Sequence, residues 1–219
     1  MKKHALRCLL LPLFTLSLFF LAGCASSPPS RFYALTPSVG GQTSPSGQQR
    51  EITQLFSIGP IDIADYLDRP QIVTRTSENR LDINEFERWG GSLKADVSRV
   101  LVENLSALLA KDGLMAVSWK GSYRGMLISV PVSIYRFEAA PGGDLRLEAK
   151  WGVLAKDAKT VEVAREALII VPVAGTDYAS IVGAMSEALG RLSRDMAPAV
   201  VSVVEKRPQT PGGEPSGKK

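Results

Sequence analysis

Between positions 144 and 154 apolar and polar side chains alternate, with Leu145, Leu147, Ala149, Trp151 and Val153 set against Arg146, Glu148 and Lys150. A period of two is the repeat of a β-strand with one buried and one wetted face, so this stretch commits the chain to a sheet covered on a single side. Residues 126–139 and 160–171 read as neighbouring strands. Turns at Pro141-Gly142-Gly143 and Lys156-Asp157-Ala158-Lys159 join the three into a meander. Pro131 has no N–H to give a ladder, which marks an edge or a bulge there.

A covering layer is also legible. Across residues 92–111, Leu93, Val97, Val100, Leu101, Leu105, Leu108 and Leu109 recur mainly at three- and four-residue steps, as on one stripe of a helix, and Asp112-Gly113 supplies its stop. A second helix starts at Thr176-Asp177 and carries Tyr178, Ile181, Val182, Met185, Leu189, Leu192 and Met196 on one face. Pro198 is expected to kink or end it, leaving residues 199–204 as a final apolar turn or two. Shorter strands are expected at 31–35, at 52–63 with a break near Gly59-Pro60, at 71–76, 81–84 and 114–118. Residues 38–50, rich in Gly, Ser and Gln, read as a mobile loop. The fold class that follows is α+β: a largely antiparallel sheet with two amphipathic helices packed on one face.

The front of the chain has a different character. Lys2, Lys3 and Arg7 precede a nearly continuous apolar run from 9 to 21, the order of a secretory leader, and too short to span a bilayer comfortably. The run closes on Leu21-Ala22-Gly23-Cys24, which resembles the site at which bacteria cut a precursor and acylate the new N-terminal cysteine. The organisation expected is a signal peptide over 1–23, a lipidated tether over 24–30, one α+β domain over 31–204 and a disordered tail over 205–219. Each buried methylene contributes about 0.8 kcal/mol, so two or three acyl chains (palmitate among them) on Cys24 would hold the domain on a membrane. Ala25 stands where Asp would signal retention at the inner membrane, so delivery to the outer membrane of a Gram-negative envelope is expected.

Cleavage before Cys24 removes His4 and Cys8, the lone histidine and the other cysteine of the chain. The mature protein then has no histidine and no free thiol. Ser-His-Asp and Cys-His catalysis, imidazole or thiolate metal sites and disulfides are excluded. No cofactor or metal is expected. Lysine and arginine fall from 26 to 23 against 22 acids once Lys2, Lys3 and Arg7 leave, and a near-neutral surface gives no electrostatic case for nucleic acid. The glycine spacing at 212–218 and the Ser216/Lys219 pair mimic phosphate-loop and nucleophile motifs without the flanking elements those need. Asp62, Asp65 and Asp68 lack the glycine pivot and bidentate glutamate of a calcium loop. They read as turn residues paired with Arg69 or Arg75. Trp89 and Trp151 read as core or rim aromatics.

The string from Ile58 to Arg75, and above all Tyr66-Leu67-Asp68-Arg69-Pro70-Gln71-Ile72-Val73, resembles the signature of the ABC-type transport auxiliary lipoproteins, the PqiC-like family. Phe32-Tyr33-Ala34-Leu35 and the Trp89-then-helix block resemble two further parts of the same pattern, over residues 24–204. The resemblance implies a non-catalytic lipoprotein that accompanies transporters with MCE domains, which carry phospholipid or other hydrophobic molecules between the two membranes. It would act as a docking collar supporting envelope integrity, with an MCE-domain protein as partner and a homo-oligomeric ring as one assembly. A module that itself carries a hydrophobic ligand is the alternative. Tyr66, Leu67, Asp68, Arg69, Pro70, Arg75 and Trp89 are its candidate residues, as a contact surface or a structural corner, beside Cys24 as the lipidation site.

Overall fold

The computed structural model describes residues 28–39, 51–119, 126–140, 142–155, 157 and 159–206. The leader, Cys24, residues 40–50 and the tail beyond 206 lie outside the described residues. The strands are β1 (Arg31–Tyr33), β2 (Gln54–Ile63), β3 (Gln71–Ser77), β4 (Arg80–Trp89), β5 (Leu114–Ser118), β6 (Ile128–Ala139), β7 (Asp144–Ala155) and β8 (Val161–Pro172). The helices are α1 (Leu93–Leu109) and α2 (Tyr178–Glu205). The class is α+β. The strands divide into a five-stranded sheet, β5-β2-β6-β7-β8, and a three-stranded one, β1-β4-β3.

Half of the strand pairings are parallel, so the sheet is mixed rather than largely antiparallel. β6, β7 and β8 form the expected antiparallel meander. β2 instead runs parallel to both its neighbours, β5 and β6, and β1 runs parallel to β4. Single-strand periodicity reports which face is buried, not which distant strand lies alongside. Pro131 is no edge residue, because β6 lies inside the sheet. The β2–β6 register shifts between Ile58/Val130 and Ile61/Val132, which sets Pro131 opposite Gly59-Pro60. Two residues without an N–H thus face each other across the same gap in the ladder, where neither costs a hydrogen bond.

Ser92 caps α1 by accepting the Ala95 N–H at 3.4 Å, and Asp177 caps α2 by accepting the Ser180 N–H at 2.9 Å. Leu93, Val97, Val100, Leu101, Leu105 and Leu109 are all buried, at the steps the sequence pattern required. Leu101 and Leu105 are fully inaccessible, and burying each contributes about 2 kcal/mol. α2 runs through Pro198 without ending. The proline removes one intrahelical bond, while Met196, Ala199, Val200 and Val203, buried on either side, hold the helix against the core. α1 packs on β5 and β2, α2 packs on β8, β7 and β6, and the helices touch each other. The small sheet reaches their first turns, where Tyr33 lies 6.5 Å from Tyr178. Among the described residues no helix is long and apolar enough to cross a membrane.

Candidate functional site

The turn from β2 to β3 is a knot of short hydrogen bonds. Leu67 N–H donates to Ala64 O at 2.8 Å, Asp68 N–H to Asp65 O at 3.3 Å and Arg69 N–H to Leu67 O at 2.9 Å. Leu67 is buried in the core. Pro70 directs the chain into β3 in extended form, and its carbonyl accepts the Trp89 N–H at 2.7 Å, tying the corner to the end of β4. Trp89 itself is buried. Arg69 is not paired with the aspartates, and its Nε is buried without a partner. Asp62 lies 3.9 Å from Lys94, and Arg75 turns elsewhere. The expected aspartate pairs with Arg69 or Arg75 therefore give way to other partners.

Arg75 and Tyr66 converge on Glu138, whose side chain is wholly buried. Arg75 Nε donates to Glu138 Oε1 at 2.6 Å, the Tyr66 hydroxyl to Oε2 at 2.8 Å and the Phe137 N–H to Oε2 at 2.9 Å. Arg136 Nε approaches Oε1 to 3.0 Å without aiming its N–H at it. Arg75 also donates to Glu78 O at 2.5 Å and lies over the Tyr66 ring, 5.9 Å from its centre. A bare carboxylate in an interior costs several kcal/mol. Two cations, a hydroxyl and an amide offset that cost here. Burial, reinforced by Glu138, pushes the Tyr66 hydroxyl up to about 12, and the hydrogen bond that Arg75 donates to Glu138 raises Arg75 above its ordinary value.

Glu138 reaches this position because of a bulge. The β6–β7 register shifts between Ile134 and Arg136. Val132 and Ile134 face the helices before it, Phe137 and Ala139 after it. Without the shift Glu138 would point into the apolar core. Strand periodicity does not foretell which strand bulges, and the reading of residues 126–139 as a strand did not single out Glu138. Glu87 was missed because the strand expected at 81–84 stops short of it, whereas β4 runs to Trp89. Glu87 is 1% exposed and receives the Tyr33 hydroxyl at 2.7 Å and Arg31 Nη2 at 2.5 Å.

A second feature lies where the chain leaves β1. Residues 35–39 run as a strap between α1 and α2. Leu35 N–H donates to Asp96 Oδ2 at 2.6 Å, Arg99 Nη2 donates to Leu35 O at 2.6 Å, Thr36 N–H to Ser186 Oγ at 3.1 Å and Val39 N–H to Asn104 Oδ1 at 3.1 Å. An extended segment without a sheet partner must satisfy its backbone somehow, and here helix side chains do so. Leu35 is buried, and a Cβ on Gly190 would meet Ser38 Oγ at 1.8 Å. Ser38 and Val39, read from composition as the start of a mobile loop, belong to this strap. Beside it a cleft of about 500 Å³ opens between Tyr33, Trp89, Gly91, Ser92, Asp96 and Arg99.

Among the described residues no cluster of acids, histidines or cysteines is placed to hold a metal ion. What the arrangement offers is a braced corner, a strapped helix pair and exposed apolar side chains, including Phe32, Tyr135, Leu168 and Ile170.

Comparison with known proteins gives the class. The family model described as "ABC-type transport auxiliary lipoprotein component" matches residues 33–197, and the chain belongs to that family. The intermembrane transport lipoprotein PqiC of Escherichia coli K12 is 24% identical over 177 residues, covering 68% of this chain and 94% of PqiC; PqiC of Shigella flexneri matches to the same extent. A crystal structure of a Xanthomonas campestris protein superimposes with a TM-score of 0.62 at 19% identity, covering 80% of this chain and 98% of that one. A second, of an uncharacterised protein, gives 0.65 at 17%, covering 79% and 99%. At these identities the two structures speak for the fold alone.

Proposed function

We propose that this protein is an outer-membrane-anchored periplasmic lipoprotein and the non-catalytic docking subunit of an MCE-type, Pqi-like intermembrane lipid transport system, supporting envelope integrity. Acyl chains on Cys24 pin it to the inner leaflet of the outer membrane. The folded body then receives the periplasmic end of an MCE assembly, alone or as a ring, so that lipid need not cross water. The observation that carries the reading is the alignment with PqiC, which takes in 94% of a protein whose name is intermembrane transport lipoprotein.

Within this role the segment from Tyr66 to Arg75, with Trp89, is the framework corner that shapes the docking surface. The buried ends of Leu67, Trp89 and the Glu138 network support that choice over a direct contact.

The test is replacement of Cys24 by Ser together with a tagged pull-down from native envelopes. The expected result is a folded protein recovered in the soluble periplasm, with lost barrier function, while the acylated protein crosslinks to an MCE-domain protein. An undisturbed envelope would sink the anchor's role. Lipid copurifying stoichiometrically with the delipidated monomer would favour the ligand-carrying alternative.

A further inference from the structure

We infer that the outward face of the small sheet, centred on Phe32, is the surface that lies on the phospholipid bilayer, with Phe32 entering the headgroup region. The inference rests on acylation of Cys24 and adds to it which side of the body faces the lipid.

Three observations lead there. The first is the chemistry of β1. Arg31 and Tyr33 both turn to Glu87, whereas Phe32 points the opposite way and is 66% exposed, the most exposed of the large apolar side chains described. Its register partner on β4 is Arg88, which shares its face. The Arg88 guanidinium is loosely held, 3.5 Å from Glu85 O and 3.9 Å from its carboxylate. An aromatic ring beside a long cationic side chain suits a lipid interface, where the ring enters the acyl boundary and the guanidinium stays with phosphate.

The second is chain length. Only the seven residues Cys24 to Ser30 separate the acylated position from Arg31, a reach of about 23 Å when fully extended. A domain of about 175 residues has a radius of gyration near 16 Å, or roughly 40 Å across. A tether about half as long as the body is wide keeps the side bearing Arg31 toward the bilayer.

The third is that the tether cannot lengthen. Beyond β1 the chain is clamped at Leu35, Thr36 and Val39 by four hydrogen bonds from both helices. The reach is therefore set by the seven residues alone, and Phe32 stays at the membrane end.

Exposed apolar side chains scattered singly need no explanation. Leu168 and Ile170, 57% and 47% exposed, lie on β8 in the large sheet, and they make the internal control. The mature chain has no cysteine besides Cys24, so a nitroxide can be placed at one site by Phe32→Cys or Leu168→Cys. Acylated protein, its triacylation verified by mass, is reconstituted in vesicles of phosphatidylethanolamine and phosphatidylglycerol. Accessibility to oxygen and to a water-soluble nickel chelate is then measured. The expected result is an oxygen-to-nickel ratio several-fold higher at position 32 than at 168, falling to the value at 168 when the protein carries Cys24→Ser. Protein that is acylated and vesicle-bound but shows equal ratios at the two sites overturns the inference and leaves the anchor standing. A label at 32 that is immobilised yet closed to oxygen indicates a protein contact and overturns it too. A mature protein without acyl chains removes the anchor, and the inference with it.

Discussion

The Glu138 network offers a quantitative test of whether the Tyr66–Arg75 corner is framework. Glu138→Ala leaves Arg75 and Arg136 without the anion they approach at 2.6 and 3.0 Å, and the Tyr66 hydroxyl and Phe137 N–H without the oxygen they bond. Removing one partner of a buried ion pair costs about 3–5 kcal/mol. The Arg75 and Arg136 side chains are 18% and 31% exposed, so water recovers part of that, and about 2–4 kcal/mol is expected. For a domain of this size each kcal/mol lowers Tm by about 2–4 °C, so a fall of roughly 4–16 °C is expected. With an m-value near 2 kcal/mol/M, the urea midpoint drops by about 1.5 M. Glu138→Gln keeps the shape and an acceptor for Tyr66 while losing the charge, and about half the effect is expected. The assay is urea unfolding of the non-acylated Cys24→Ser domain by circular dichroism, with Arg75→Met alone and in combination to give the coupling energy. A loss below about 1 kcal/mol in Glu138→Ala, or additive single effects, would refute the reasoning and return the corner to the contact-surface reading.

Tyr66→Phe should cost about 1 kcal/mol at pH 8, the order expected of one hydrogen bond to a charged group at a half-buried site. It also removes a pH dependence. Because the folded-state pKa is raised from 10 to about 12, the tyrosine's contribution is complete below pH 10 and is lost as pH rises through 12. Urea midpoints measured from pH 8 to 11.5 should fall more steeply for wild type than for Tyr66→Phe, and parallel curves would contradict the assignment. Gly190→Leu should expel the strap, since even a Cβ there meets Ser38 Oγ at 1.8 Å and Val39 Cγ2 at 3.4 Å. About 2 kcal/mol of destabilisation is expected, with new proteolytic cleavage near residues 35–39 as the readout, and an unchanged digestion pattern would count against the strap.

Much of the framework could be read in the chain itself, because local chemistry decides it. Ser92 and Asp177 announce their caps, the seven-residue stripe of α1 announces its buried face, and the alternation through Trp151 announces β7. Properties set by distant partners were not legible. Nothing in the sequence of β2 says that it will lie parallel to two strands, and nothing local to Ser38 tells that helix side chains will hold it. Glu138 shows the same limit at the site. Tyr66 and Arg75 were candidates from their own segment, but the carboxylate that unites them lies 63 residues beyond Arg75 and arrives through a bulge that has no marker residue.

The strap also has a temporal consequence. Thr36 depends on Ser186, 150 positions later in the chain, so under the proposed export the stretch that would cross first could not settle until the closing helix had been delivered. Long-range closure of this kind is slow. A half-exported polypeptide would trail a loose front end, accessible to processing and acylating enzymes, and would cinch it only once translocation is complete.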